Sequence, residues 1–230
     1  MDYTITDLMK AASMMSKKYF GRLRMKEVYW TFIIGMVLYG CSNHGNKAEN
    51  VDCLCPHATV YLQPYDTFTQ NEANKLKEEL EKHWGELLGG AFEIKVLPNK
   101  PLNSDFLGKT RTKYRTDKII HALEKDADYH EIYMGLTHKD ICRDQKNGVT
   151  DWGVLGSSIA TSHACVISTY RLKNKKRDLW KLATHEFIHT YYGYHHCPKD
   201  DTHCLMKDAK GHADFSNKND LCGHCKNIIF

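Results

Sequence analysis

The chain has 230 residues, of which 42% are hydrophobic and 26% are charged, and its formal net charge at pH 7 is +4. This length can hold one substantial domain and a leader, and the composition is ordinary for a globular protein. Much of the positive excess lies before residue 27, so the charge does not indicate a nucleic-acid-binding surface.

The first 56 residues are predicted to be a leader and a tether. An apolar run from Val28 to Tyr39 is short for a membrane span and suits the core of a signal peptide. Its end, Leu38-Tyr39-Gly40-Cys41, resembles the lipobox of bacterial lipoproteins, which implies lipidation of Cys41. A simple cleaved signal peptide and an uncleaved anchor are the alternatives. Residues 1–40 are therefore expected to be the leader and residues 41–56 a polar tether.

This leader predicts where the protein is located. A lipid on Cys41 would anchor the chain to a membrane after export, with the folded domain on the periplasmic or cell-surface face. The protein is therefore expected to be a membrane-anchored bacterial lipoprotein. We expect a monomer.

Residues 57–230 are predicted to form one folded domain in which strands and helices alternate. Apolar residues at spacing four predict helices, and alternating or short apolar runs predict strands. A capping sequence at Thr69–Glu72 begins the first helix, which is expected to reach about Leu88. A second helix is expected after residue 117. Strands are expected at 59–62, 92–97, 131–136, 151–156 and 164–169, and loops at 99–109 and 140–150.

A further helix, predicted to follow Asp178, carries a metal-binding pattern. Residues four apart lie on one helix face with Cβ atoms about 5–6 Å apart, so His185 and His189 can reach one ion at roughly 2.0–2.1 Å. Glu186 lies about 100° further around the helix. It is therefore placed to accept a proton from a zinc-activated water rather than to act as a third ligand.

A third histidine ligand is predicted just beyond the helix. Gly193 is the expected helix stop, and His195 or His196 follows at once as a third nitrogen ligand. Three protein ligands leave the open position that a hydrolytic zinc requires. The chain has 14 histidines, and their clustering after residue 183 fits metal chemistry.

The chain has nine cysteines. Because this number is odd, at least one cysteine lies outside any internal disulfide. The last four form either a closed zinc site or two disulfides, and an exported protein permits both. Zinc is the favoured interpretation because a Cys-x-x-Cys beside two further cysteines is the usual spacing of a closed site. A thiol-redox role is disfavoured, since the strand, motif and helix context of thioredoxins is absent. The four are Cys197, Cys204, Cys222 and Cys225; Cys53, Cys55, Cys142 and Cys165 remain unassigned.

At these residues the sequence resembles the archaemetzincins, a metzincin subgroup of zinc peptidases. Their pattern joins a zinc helix, a glycine, a third histidine followed directly by cysteine, a Cys-x-Met and a late Cys-x-x-Cys. The corresponding residues here are His185-Glu186-x-x-His189, Gly193, His196-Cys197, Cys204-Leu205-Met206 and Cys222-x-x-Cys225.

The resemblance implies an α+β, zincin-like catalytic domain. It would contain a mixed twisted sheet with two long helices, an active-site helix and a small C-terminal subdomain in which four cysteines bind zinc. Two Zn²⁺ ions per chain are implied, a catalytic one on the histidines and a structural one on the cysteines. Met206 is implied to form the hydrophobic turn beneath the catalytic zinc.

The chain departs from the family pattern at the helix end. The family places its glycine three residues after the second histidine, where this chain has Tyr192 before Gly193. Measured from the first histidine, His195 keeps the usual spacing of the third ligand. Measured from the glycine and from Cys197, His196 keeps it. His196 is therefore the predicted ligand, and His195 is the alternative.

Together these features predict a zinc-dependent metallopeptidase that acts on a peptide or protein, with Glu186 as general base. An edge strand near residues 154–159 is expected to pair with an extended peptide through main-chain hydrogen bonds. The alternative is a zinc-stabilised lipoprotein that binds peptides or another partner without catalysis. The displaced glycine favours this alternative, whereas Glu186 argues against it because a structural zinc site has no use for a glutamate there.

Overall fold

The structure is a computed structural model that describes residues 58–89, 92–125, 127–128, 130–145, 147–159, 162–172, 176–209 and 215–230. The predicted leader and tether, with Cys41, Cys53 and Cys55, lie outside these residues. Within the described ranges, no helix combines the length and the apolar character needed to cross a membrane.

Two sheets contain the named strands of the described residues. The strands are β1 Thr59–Pro64, β2 Glu93–Val96, β3 Tyr114–Arg115, β4 Glu131–Thr137, β5 Ile141–Arg143, β6 Trp152–Val154, β7 Gly156–Ser158 and β8 Ala164–Ser168. The larger sheet has the order β2-β1-β4-β8-β7. Its first four strands are parallel, and β7 runs antiparallel to β8 at the edge. The smaller sheet has the order β3-β5-β6.

Four helices lie among the described residues, namely α1 Gln70–Leu88, α2 Thr116–Glu124, α3 Leu179–Tyr191 and α4 Gly223–Ile229. The predicted α+β fold, with its mixed sheet and helix order, is confirmed. The second helix is shorter than the resemblance implied, since α2 has nine residues against 19 in α1.

Two details of the strands differ from the prediction. The stretch 140–150, expected to be a loop, contains β5, which pairs with β3 and β6. The single strand expected at 151–156 is divided at Leu155, because β6 belongs to the smaller sheet while β7 pairs with β8. Leu155 is buried at this crossing, and its carbonyl accepts the Ser168 N–H at 2.8 Å.

The sheet is covered on both faces. All five residues of β8 are buried, as expected for an inner strand packed on both sides. Cys165 and Ile167 belong to the larger apolar cluster, with residues of α1 and α3. Ala164 and Val166 belong to the smaller cluster, with residues of α2. The alternation of side chains along β8 thus separates the two halves of the core.

Helix α1 fixes the position of α3. It begins with the predicted capping box, in which the Thr69 side chain accepts the Glu72 N–H and the Glu72 carboxylate accepts the Thr69 N–H. On its buried face, Trp84 donates its indole N–H to the Thr184 hydroxyl of α3 at 2.8 Å. The Trp84 and Phe187 rings lie 4.3 Å apart between centroids. This contact orients the residues on either side of His185.

Candidate metal centre

Helix α3 is buried along most of its length. Asp178 occupies the N-cap position without a capping hydrogen bond, and its carboxylate instead lies 3.2 Å from the buried Lys181 ammonium. At the other end, the Tyr192 N–H still bonds to Ile188 O, and Gly193 reverses the chain with φ +61°. The extra residue before the glycine is thus absorbed in the last turn of the helix.

His185 and His189 are oriented by backbone carbonyls. His185 Nδ1 lies 2.8 Å from Leu205 O, and His189 Nδ1 lies 2.6 Å from Tyr194 O. A carbonyl oxygen only accepts, so each Nδ1 carries the proton and each neutral ring presents a lone pair on Nε2. The two Nε2 atoms are 3.1 Å apart. Two lone pairs converging at this distance fit a shared metal ion, and hydrogen bonds from the opposite nitrogens are the usual support for such ligands.

The structure brings His196 to this pair. Its ring centroid lies 5.2 Å from that of His185 and 4.8 Å from that of His189. One nitrogen of each of the three rings lies within 4.8 Å of the others. His195 lines the same cleft but is not in this group. The reversal at Gly193 therefore brings the second of the two consecutive histidines into the group.

The three imidazoles are held in their metal-binding form. Burial lowers the pKa of His185, with a further contribution from the neighbouring His189. Burial also lowers the pKa of His189 to about 4, and partial burial lowers that of His196, whose side chain is 43% exposed. Since a metal binds the neutral imidazole, these shifts favour ligation at neutral pH.

Glu186 is buried next to the edge strand. Its carboxylate contacts the backbone of Gly156 on β7, where an added Cβ would lie 2.6 Å from Glu186 Oε1. Burial raises the pKa of Glu186 to about 8, against the opposing charge of Arg143. Such a carboxylate is a stronger proton acceptor than an exposed one. Sequence reasoning did not single out Gly156, although a glycine inside a strand pattern often marks a close approach.

A cleft of about 710 Å³ lies between α3, the β6–β7 segment and the residues after Gly193. Glu186 and all three grouped histidines line it. Arg143, Trp152 and Asp208 also line it, and the sequence pattern gave no reason to select them. Asp208 lies 4.0 Å from His196 Nδ1.

The four C-terminal cysteines form a second group of metal-ligating side chains. Their sulfur atoms all lie within 4.8 Å of one another, and all four thiols are free. Two sulfur pairs are 3.6 Å apart, Cys197 with Cys222 and Cys204 with Cys225. A disulfide requires about 2.05 Å, whereas four sulfurs at about 2.3 Å from one zinc are separated by about 3.8 Å. The geometry fits zinc and not the two-disulfide alternative.

The two groups share backbone supports. Leu205 lies between Cys204 and Met206, and its carbonyl oxygen orients the His185 ring. Met206 is fully buried in the main core, and its carbonyl accepts the Cys197 N–H at 2.8 Å. Tyr194 orients His189 with its carbonyl while its hydroxyl lies 3.4 Å from Cys225 Sγ. The cysteine group thus stiffens the segments that hold the histidines.

Comparison with known proteins gives matches among solved structures. No protein-family model and no curated protein sequence matches the chain. An archaemetzincin from Methanopyrus kandleri is 23% identical with a TM-score of 0.59, over 76% of this chain and 94% of that one. An archaemetzincin from Archaeoglobus fulgidus, solved in complex with malonate, is 23% identical with a TM-score of 0.56, over 74% of this chain and 99% of that one. The chain therefore has a fold similar to that of the archaemetzincins.

Proposed function

We propose that the protein is a zinc-dependent metallopeptidase that hydrolyses peptide bonds in a peptide or protein substrate. The observation that carries the proposal is the convergence of three histidine nitrogens beside a buried carboxylate in an open cleft. His185, His189 and His196 would hold a catalytic zinc. A structural zinc would be held by Cys197, Cys204, Cys222 and Cys225.

The catalytic step assigned to this chain's own residues is proton transfer by Glu186. The chemistry supplied by bound zinc is that of a Lewis acid, which acidifies water and polarises a carbonyl oxygen. Glu186 accepts the proton of the attacking water and then delivers it to the leaving amine. Its position supports this role, because the buried carboxylate lines the cleft together with the three grouped histidines.

Substrate binding is assigned to β7. This strand is the edge of the larger sheet and pairs with β8 on one side only. Its residues Gly156–Ser158 line the cleft. An extended peptide adding to this edge gains main-chain hydrogen bonds and lies beside Glu186.

We further propose that the domain is tethered to a membrane as a monomeric lipoprotein. The support is the apolar run and the lipobox-like sequence that ends at Cys41. A radiolabelled fatty acid supplied to expressing cells should be incorporated into the unmodified chain and not into a Cys41→Ala variant. Equal labelling of both chains would exclude Cys41 as the lipid site.

The peptidase proposal is tested with the zinc-loaded full-length protein and its Glu186→Ala variant. Both are incubated with a diverse peptide mixture, the products are read by mass spectrometry, and the zinc content of both is measured. Cuts made only by the unmodified protein are the expected result, and their positions separate endopeptidase from aminopeptidase activity. Identical products from both proteins, at equal zinc content, would leave a non-catalytic peptide-binding lipoprotein as the better description.

A further inference from the structure

Arg143 is a cleft residue that the proposed mechanism does not use. It lies at the end of β5, is exposed and lines the cleft. Two other arginines of the described chain have acidic partners: Arg115 bonds to Asp117 and Asp144, and Arg171 bonds to Asp140. Arg143 has no ion pair with any described residue. An unpaired guanidinium beside a reaction site is suited to binding an anion supplied by the substrate.

An exposed aromatic residue, Trp152, lies next to Arg143 on the neighbouring strand. In the antiparallel β5–β6 pair, Arg143 lies directly opposite Trp152, so the two side chains project from the same face. Both line the cleft, and Trp152 is 45% exposed. The smaller sheet therefore contributes a charged and aromatic patch to one end of the cleft.

The direction of the edge strand places this patch on one side of the scissile bond. The contact between Glu186 and Gly156 marks where the carbonyl is attacked. A peptide that pairs antiparallel with β7 runs against its direction, from Ser158 towards Gly156. The residues after the cut therefore continue towards the chain segment that precedes Gly156, which is β6. Trp152 and its partner Arg143 lie in that direction.

We infer that Arg143 binds a carboxylate of the substrate on the C-terminal side of the scissile bond. This carboxylate belongs either to an Asp or Glu side chain or to the free C-terminus of a short peptide. A planar guanidinium matches a carboxylate with two parallel hydrogen bonds. The inference rests on the proposed peptidase function, since it assumes that a peptide is bound along β7. At about 3.3 Å per residue, the four positions from Gly156 back to Trp152 place the carboxylate about two to four residues after the cut.

The test uses one cleavable peptide in several forms. A single Glu is moved through the four positions after the cut or replaced by Gln, and each peptide is made with a free or an amidated C-terminus. The unmodified protein is compared with Arg143→Gln, Arg143→Glu and the control Arg177→Gln, which alters an exposed arginine outside the cleft lining. Arg143→Gln should lower kcat/KM about tenfold more for the preferred acidic peptide than for neutral amidated peptides, because any effect of the Arg143 charge on Glu186 is common to both.

The pattern of loss identifies the source of the carboxylate. A preference for Glu over Gln that disappears in Arg143→Gln assigns it to a side chain, whereas a preference for the free acid over the amide assigns it to the C-terminus. Arg143→Glu should turn the preference towards a peptide with Lys at the same position. Unchanged discrimination in both Arg143 variants, with active protein, would overturn the inference and leave the peptidase proposal intact.

A binding measurement keeps the test independent of turnover. Calorimetry with the zinc-loaded Glu186→Ala protein measures the affinity for uncleaved peptide, with and without the added Arg143→Gln change. The acidic peptide should bind about tenfold more weakly to the double variant, and the neutral peptide should bind equally to both. If neither the unmodified protein nor any variant cleaves the peptide but this difference in affinity is present, the carboxylate-binding site is supported and the peptidase proposal is wrong. If the two affinities for the acidic peptide are equal, the inference is wrong.

Discussion

The Glu186 carboxylate lies against the backbone of Gly156, so that a Cβ added at Gly156 would meet Glu186 Oε1 at 2.6 Å. This contact joins the candidate general base to the strand on which we place the substrate. A peptide paired with β7 is thereby set beside the group that would accept the proton. The absence of a side chain at residue 156 is thus a requirement of the site.

Gly156→Ala is expected to lower kcat about 100-fold, because displacing a catalytic group by about 1 Å has an effect of that size. Zinc content should change little, whereas the Tm should fall, because the added Cβ would overlap the buried Glu186 side chain. The control is Gly85→Ala, because nothing lies within 4 Å of a Cβ at that helical position. Gly85→Ala should retain activity and gain up to about 1 kcal/mol of stability. Equal activity of both variants would remove Gly156 from the site.

His196→Ala is expected to reduce bound zinc from two ions per chain to one, whereas His195→Ala should retain two. The reason is that the nitrogens of His196 group with those of His185 and His189, and those of His195 do not. Zinc per chain is measured by atomic emission after removal of excess metal. The opposite result would make His195 the third ligand, as its spacing from the first histidine allows.

Chelation of zinc is expected to lower the Tm substantially, because a structural four-cysteine site contributes directly to folding free energy. Cys204→Ser should have the same effect and also weaken zinc at the histidines, since the next residue, Leu205, supplies the carbonyl that orients His185. Differential scanning calorimetry with zinc analysis measures both. The metal-loaded protein, denatured without reductant, should show Cys197, Cys204, Cys222 and Cys225 as free thiols. Two disulfides by mass spectrometry would contradict the zinc site.

The stability contributed by the ionised Glu72 carboxylate of the α1 capping box is expected to disappear in acid. Partial burial opposes ionisation of Glu72, but hydrogen bonds from the Thr69 backbone, from His138 and from the Thr69 hydroxyl lower its pKa to about 2 from an ordinary value of 4.5. A carboxylate whose pKa is lower in the folded state than in the unfolded state stabilises the protein at pH values above the unfolded-state pKa. This contribution is therefore lost as the pH falls from about 4.5 towards 2.

Glu72→Gln is the variant that measures this contribution. At pH 7 it should lower the free energy of unfolding by about 1 kcal/mol, because Gln can accept the same hydrogen bonds but lacks the charge that strengthens them. The difference between the two proteins should shrink below about pH 4.5, and urea unfolding at a series of pH values follows it. Because both proteins lose zinc equally in acid, their difference isolates the charge of Glu72. A difference that is constant down to pH 2 would contradict the assignment.

Local sequence was sufficient to predict several features of the structure. The capping box at Thr69–Glu72 and apolar spacing of four placed α1 within a residue of its observed ends, because both signals depend only on neighbours along the chain. The pairing of His185 with His189 follows from helix periodicity alone. The order of the longer strands and helices also followed from the pattern, although β5 and α4 were not predicted, and the predicted α+β fold is confirmed.

Other features depended on contacts between distant segments. The expected strand at 151–156 is divided because the partners of β6 and β7 lie in two different sheets, which no local pattern encodes. The grouping of His196 rather than His195 depends on how the chain turns back after Gly193. The position of Arg143 in the cleft depends on the pairing of β5 with β6, since hydrogen bonds between strands, and not local propensity, determine which side chains meet. The sequence by itself thus determined the helix that presents the first two histidines, whereas only the tertiary structure decided which other groups meet them in the cleft.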